Sequence, residues 1–182
     1  MSTPPRLTAD CYRGFGRFFL TICVERREKV FASAACVDRT RGELLRTAVD
    51  YRFAGIVYCF MPDHFHGLFE TMASTCDFRK FANMFKQRSA FAHKSAAGDK
   101  LWQDGYFDRV LRREETTLDV IAYILDNPIR ASLCSDPREY PYTGSTLYSI
   151  DVLWEAIAGR FVTWRPDGEA TLKGSPYTDW RG

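Results

Sequence analysis

Histidine and net charge are both scarce in this chain. Its 182 residues include three histidines, and the formal net charge is only +2. Such a small charge gives no global basic field that would indicate a nucleic-acid partner, although a local basic surface is compatible with it. The polar, proline-containing N-terminus lacks the apolar core of a signal peptide, and no apolar run approaches the roughly 20 residues that span a bilayer. We therefore expect neither a secreted protein nor a membrane protein.

Closely spaced cysteine pairs are also missing. The six cysteines are far apart and form no CxxC pair, so the sequence indicates neither a disulfide framework nor a zinc knuckle. Buried thiols in a reducing compartment fit this pattern better, and we expect the protein in the cytoplasm. Apolar residues, in contrast, are plentiful: 46% of the chain is hydrophobic and 15% is aromatic, enough for the packed core of one domain. The cysteines are Cys11, Cys23, Cys36, Cys59, Cys76 and Cys134.

Two of the three histidines flank a single phenylalanine in the segment MPDHFHG, residues 61–67. Because side chains alternate between the two faces of a strand, His64 and His66 would share one face while Phe65 enters the opposite layer. Neutral imidazoles bind divalent cations, so this pair predicts a two-pronged metal clamp. Half-buried histidines with ordinary hydrogen bonds are the plainer alternative. The context favours the clamp, since an apolar strand over 53–60 and a turn precede a returning strand over 64–70.

Hydrophobic periodicity predicts elements in the order β-α-β-β-α-β-α. We expect strands over 17–24, 53–60, 64–70 and 106–111, and helices over 37–51, 77–94 and 117–127, the last one stopped by Pro128. This order predicts an α+β fold: a ferredoxin-like split βαβ antiparallel sheet with helices on one face, plus an additional C-terminal helix. We expect one domain over 1–145 and a partly helical extension over 146–182 that packs on this domain or trails from it.

The predicted helix over 117–127 carries a second group of polar candidates. Tyr123 and Asn127 are one turn apart, and both fall away from the apolar stripe. By itself, a helical tyrosine usually only packs, and an asparagine before a proline is an ordinary helix C-terminal residue. The apolar stripe consists of Leu118, Ile121, Ala122 and Leu125.

Three segments in the same order resemble one protein family. They are MPDHFHGLFE over 61–70, LWQDGYFDR over 101–109 and YILDNPIRA over 123–131. They resemble the REP-associated tyrosine transposases, relatives of the IS200-like single-strand transposases in the HUH superfamily. The resemblance runs from about Tyr12 to about Tyr148. The YxxxNPxRA stretch after a His-x-His strand is its specific part, since His-x-His alone is common.

The resemblance implies a role for each residue of the two groups. His64 and His66 would be metal ligands, Asn127 the third ligand, and Tyr123 on the additional helix the nucleophile. The implied activity is that of a single-strand DNA endonuclease and strand transferase with a 5′-phosphotyrosine intermediate. Histidine and amide-oxygen ligands in phosphoryl chemistry point to Mg²⁺ or Mn²⁺. Asp63 stands where the family more often has asparagine, and we expect it to orient an imidazole rather than to bind the metal.

The implied partner is a palindromic repeat folded as a single-stranded DNA hairpin, bound in the bacterial nucleoid by a monomer or a homodimer. Basic side chains can neutralise its phosphates, and an aromatic ring can stack on an unpaired base. A solvated helix face and a core aromatic residue are the plainer readings of the same residues. The candidate DNA contacts are Arg79, Lys80, Lys86, Arg88, Trp102, Arg109, Arg112 and Arg113, with Tyr106 and Phe107 as further aromatic residues.

Three rival functions share parts of this pattern. A replication initiator or relaxase-type nickase would use the same histidine clamp, but the compact chain and the YxxxNPxRA helix favour the transposase. A catalytically silent protein that binds DNA hairpins would have the same fold without the chemistry. A histidine-triad nucleotide hydrolase would need a third alternating histidine where Leu68 stands, and we discount it.

Overall fold

A computed structural model describes residues 9–111 and 117–158 of the protein. Four α-helices and five strands occur in these ranges. The helices are α1 Ala34–Tyr51, α2 Phe78–Ala97, α3 Thr117–Arg130 and α4 Ile150–Ala158. The strands are β1 Arg17–Cys23, β2 Phe53–Met61, β3 His64–Thr71, β4 Phe107–Val110 and β5 Thr143–Gly144.

The five strands form one antiparallel sheet in the order β4-β1-β3-β2-β5. Strand β3 lies between β1 and β2, which makes the first βαβ unit a split one. This arrangement confirms the predicted ferredoxin-like sheet. The short strand β5 extends the sheet at β2 and was not predicted, because two residues give no readable hydrophobic period.

Helices cover both faces of the sheet. Helices α1 and α2 pack on the face to which Phe65 and Phe69 of β3 point. Phe81 and Phe85 of α2 belong to the same buried cluster. Helices α3 and α4 pack on the opposite face, against a cluster that includes Leu68 of β3. Since side chains alternate along β3, His64 and His66 project on the side of α3. We call this side the histidine face.

Helix α3 continues through Pro128 to Arg130, so the prediction that it stops before Pro128 is wrong. A proline inside a helix lacks the N–H that would bond to the carbonyl four residues earlier. Pro128 lies in the last turn of α3, so the missing bond is close to the end of the helix. The backbone N–H groups of Ala131 and Leu133 still donate to the carbonyls of Asn127 and Pro128, which completes the helix end.

Helix α4 packs against α3 through Leu153 and Ile157, which are buried in the same hydrophobic cluster. The extension predicted over 146–182 therefore begins with a helix that shares this core, while residues 159–182 lie outside the described ranges. The helices in the described part of the chain are all too short or too polar to cross a membrane.

Candidate active site

The two histidines meet at the start of β3, on the histidine face. The Nε2 atoms of His64 and His66 are 3.0 Å apart, and the two rings are nearly perpendicular. Both side chains are buried. Two imidazole nitrogens that converge in this way can share one cation, which is the arrangement that the His-x-His strand predicts.

Hydrogen bonds at the other ring nitrogens fix both imidazoles. The Nδ1 atom of His64 is 2.5 Å from the Asp63 carboxylate, whose second oxygen accepts from Arg27 at 3.3 Å. The Nδ1 atom of His66 is bonded to the Thr21 hydroxyl at 2.8 Å. Metal-binding histidines are commonly held by such partners. The sequence predicts Asp63 as an orienting residue but gives no signal for Thr21 or Arg27, because only the sheet register places Thr21 opposite His66.

Burial and hydrogen bonding determine the charges of His66 and Asp63. Burial lowers the pKa of His66 well below its ordinary value, so this ring is neutral at physiological pH. The hydrogen bond from His64 lowers the pKa of Asp63, which keeps its carboxylate ionised. A neutral imidazole is the form that binds a metal ion.

Tyr123 reaches the histidines from helix α3. Its ring centre lies 5.4 Å from that of His66 and 5.9 Å from that of Phe19. The side chain is only 5% exposed, although the apolar stripe of α3 predicted that it would lie outside the core. That expectation is wrong because α3 is covered by the sheet and by α4, so its apolar residues are buried on more than one side.

Asn127 lies one turn after Tyr123 and is partly buried. Its Nδ2 atom donates to the backbone carbonyl of Tyr123 at 2.6 Å, which leaves Oδ1 as the oxygen with which this amide could bind a cation. In residues 9–111 and 117–158, no group of three or more His, Cys, Asp and Glu side chains is placed to hold a metal ion. A three-ligand protein site here would therefore need an oxygen donor such as the Asn127 amide.

The basic residues predicted on α2 lie across the sheet from the histidines, because α2 packs on the opposite face. Two of them already have protein partners: Arg88 pairs with Asp50 at 2.6 Å, and Arg79 stacks over a tyrosine ring. Lys86 donates to backbone carbonyls in the loop before β4, including that of Gln103 at 2.5 Å. Lys80 is exposed to solvent.

Trp102 is a core residue, which corrects its assignment as a base-stacking candidate. It is 2% exposed, and its indole N–H donates to the Ser89 hydroxyl of α2 at 2.8 Å. Arg109 lies on β4, paired with Phe19 of β1. Arg112 and Arg113 lie outside the described residues.

The fold and the site together define a class of protein: a split βαβ sheet whose third strand carries His-x-His, with a tyrosine-bearing helix against it. The model of the family described as "Transposase IS200 like" matches residues 17–127, more than half of the chain. The chain therefore belongs to the IS200-like transposase family.

The chain is also similar to one named relative and to two solved structures. A Haemophilus influenzae protein, named as a candidate REP-associated tyrosine transposase, is 19% identical over 139 residues, which are 70% of this chain and 78% of that protein. A solved structure of a REP-associated tyrosine transposase bound to a REP hairpin superposes with a TM-score of 0.66 at 18% identity, covering 96% of this chain and 98% of that one. A Deinococcus radiodurans structure, described as a candidate transposase, gives a TM-score of 0.48 at 18% identity over 70% of this chain and 97% of its own.

Proposed function

We propose that this protein is a metal-dependent single-strand DNA endonuclease and strand transferase that acts on REP-like hairpins. The observation that carries the proposal is the contact between Tyr123 of α3 and His66 of β3, two residues 57 positions apart whose ring centres lie 5.4 Å apart. Membership in the IS200-like family favours a transposase over a relaxase-type nickase.

Tyr123 is the proposed nucleophile. Its phenol oxygen attacks the phosphorus of one phosphodiester as its proton passes to solvent. A bond forms between this oxygen and phosphorus, and the bond from phosphorus to the 3′ oxygen breaks. That 3′ oxygen leaves as a hydroxyl after taking up a proton. The 5′-phosphotyrosine that results conserves the phosphodiester bond energy, so a later attack by another 3′ hydroxyl can rejoin the DNA and restore the tyrosine.

The residues present fit a divalent cation. His64 and His66 would hold it through their converging Nε2 atoms, and Asn127 would add an amide oxygen. Mg²⁺ or Mn²⁺ suits this mixed set in phosphoryl chemistry. When bound there, such a cation would offset the negative charge that develops on the phosphoryl oxygens. Asp63 and Thr21 hold the two imidazoles in place for this role.

The DNA partner is proposed from the relatives. One solved neighbour with the same fold is bound to a REP hairpin, and we infer a palindromic hairpin as the partner of this chain. The protein would act in the bacterial nucleoid as a monomer or a homodimer.

Cleavage of a labelled single-stranded hairpin with Mn²⁺ tests the proposal. The substrate should come from palindromic repeats beside the coding gene. The wild-type protein should nick it and become covalently joined to it, whereas Tyr123→Phe, which lacks only the hydroxyl, should bind the hairpin without either reaction. Tyr148→Phe is the matched control, because it removes the same hydroxyl from a half-exposed tyrosine that lines a cavity between the sheet, α3 and α4.

Peptide mapping of the covalent adduct identifies the nucleophile among the competing tyrosines. A nucleotide on the peptide that spans Ile121 to Arg130 supports the assignment. An adduct on Tyr106, Tyr140, Tyr142 or Tyr148, or undiminished nicking by Tyr123→Phe, would falsify it.

A hairpin-binding protein without catalysis is the second candidate function. The observation that favours it is the burial of Tyr123, since a side chain that is 5% exposed meets a DNA phosphate only if its surroundings rearrange. Tight hairpin binding by the wild-type protein with no nicking in Mg²⁺ or Mn²⁺ would establish this function in place of the first.

A further inference from the structure

The edge strand β4 carries an exposed aromatic side chain on the histidine face. Phe107 is 49% exposed, and its register partner on β1 is Thr21, the residue bonded to His66. Directly opposed residues of an antiparallel pair project from the same face. Phe107, Thr21 and His66 therefore form one row across β4, β1 and β3. Two strand spacings place Phe107 about 10 Å from His66.

Phe19 connects Phe107 to the rest of the site. Its buried ring meets Phe107 edge-on at 6.4 Å, stacks on His66 at 5.6 Å and meets Tyr123 edge-on at 5.9 Å. One side of Phe107 is thus supported by protein, while about half of the residue is exposed. Arg109 of β4 is the register partner of Phe19 of β1, and it projects from the same face of the sheet as Phe107. A supported aromatic ring beside a guanidinium is a combination on which single-stranded nucleic acid stacks.

Isolated apolar side chains are ordinary on protein surfaces, so the exposure of Phe107 does not by itself indicate a binding site. Its position in one row with Thr21 and His66 does. Trp102 is buried, and Tyr106 packs against the core between the sheet and the helices α1 and α2. Phe91 is 75% exposed but belongs to α2, across the sheet from the histidines.

We propose that Phe107 is a stacking platform for one unpaired nucleobase beside the phosphate that Tyr123 attacks, with Arg109 on the adjoining backbone phosphate. This inference rests on the proposed function and assigns a contact to the single-stranded DNA that flanks the hairpin. Stacking tolerates every base, because each has an aromatic face. Phe107 therefore holds the strand in place and does not read its sequence.

Binding without cleavage tests the platform. The probe is a hairpin from the repeats beside the gene, with single-stranded flanks that carry 2-aminopurine at one position at a time, titrated in EDTA. One position should lose emission when the wild-type protein binds. Phe107→Ala should keep the emission at that position and bind roughly 5- to 100-fold more weakly, the usual range for loss of one base stack.

Matched variants separate stacking from other effects. Phe107→Tyr keeps an aromatic ring and should behave as wild type, whereas Phe107→Leu keeps apolar bulk and should behave as Phe107→Ala. Phe91→Ala removes an exposed phenylalanine from the other side of the sheet and should change nothing. An abasic nucleotide at the quenched position should weaken binding by the wild-type protein but not by Phe107→Ala. Quenching that persists in Phe107→Ala, or equal weakening by Phe91→Ala, overturns the platform.

The outcomes also separate the platform from the proposed function. Unchanged binding and quenching by Phe107→Ala, with cleavage that still depends on Tyr123, would overturn the platform alone. Stacking at Phe107 without cleavage in any metal would overturn the nuclease and leave a hairpin-binding protein with a base platform. A wild-type protein that binds none of the probes overturns both.

Discussion

At the scale of single residues, His64 and His66 are held by different partners. His66 is fully buried and bonded to a neutral hydroxyl, that of Thr21. His64 is bonded to the carboxylate of Asp63, which also pairs with Arg27. Both contacts engage Nδ1, so both Nε2 atoms come together on the side of α3. The proposed cation site thus depends on two separate hydrogen bonds as well as on two histidines.

Replacing either histidine tests this site. We expect His64→Ala and His66→Ala to abolish metal-dependent cleavage, because each removes one of two converging nitrogens. Hairpin affinity should change little, because phosphate contacts supply most of the affinity of such complexes. Cleavage gels with Mn²⁺ and anisotropy titrations with the uncleaved hairpin measure the two effects separately.

Because His66 is fully buried, its alanine variant also leaves a cavity beside Thr21. His66→Gln keeps most of the volume and serves as the control for folding. If both alanine variants retained full metal-dependent cleavage, the histidines would not be the metal ligands.

At the scale of elements, strand β3 shows why a glycine follows the histidines. A Cβ atom on Gly67 would lie 2.4 Å and 2.7 Å from ring atoms of Phe69 and 3.0 Å from the ring of Phe65. Both phenylalanines are buried in the core under α2, so their rings have no space to move. The glycine of HFHG is thus a packing requirement of the face opposite the histidines.

Gly67→Ala should therefore destabilise the protein. Overpacking of this kind costs about 1 to 3 kcal/mol, and a shift of β3 would also displace the two histidines. Gly42→Ala is the matched control, because Gly42 lies exposed inside α1 with nothing within 4 Å of the new methyl group. That substitution should stabilise the protein by about 0.4 to 1 kcal/mol. Urea unfolding of both variants measures the difference, and equal stabilities would contradict this account of β3.

At the scale of the whole molecule, the sheet separates two groups of candidate residues. The histidines, Tyr123 and Phe107 belong to one face, while the basic side chains of α2 belong to the layer on the other face. A DNA strand at the site would therefore contact β4 and α3 rather than the basic side chains of α2. Such a site suits a flexible single strand, because duplex DNA must be opened before one phosphate can reach a buried tyrosine.

Substrate form is the corresponding prediction. A single strand that carries a hairpin should be cut, and a blunt duplex of the same sequence should not be cut under the same conditions. The control is the duplex with an unpaired bubble at the cleavage position, which should regain part of the activity. Equal rates on the single strand and the blunt duplex would contradict the single-strand assignment.

The sequence by itself determined strands β1 to β4 and helices α1 to α3 apart from the end of α3, their order β-α-β-β-α-β-α, and the position of His64 and His66 on one face of β3. These features follow from local periods of 2 and 3.6 residues, which are readable without knowledge of the fold. The family resemblance, confirmed by the match over residues 17–127, implied the roles of Tyr123 and Asn127.

Only the tertiary structure decided which of these elements meet. Thr21 opposes His66 through the β1–β3 register, and Tyr123 is buried because the sheet and α4 both cover α3. Trp102 is in the core because it packs against α2, whereas Phe107, five residues later, is exposed on the histidine face. Such contacts join residues far apart in the chain. Their burial and bonding depend on how separate elements pack, which no local period encodes.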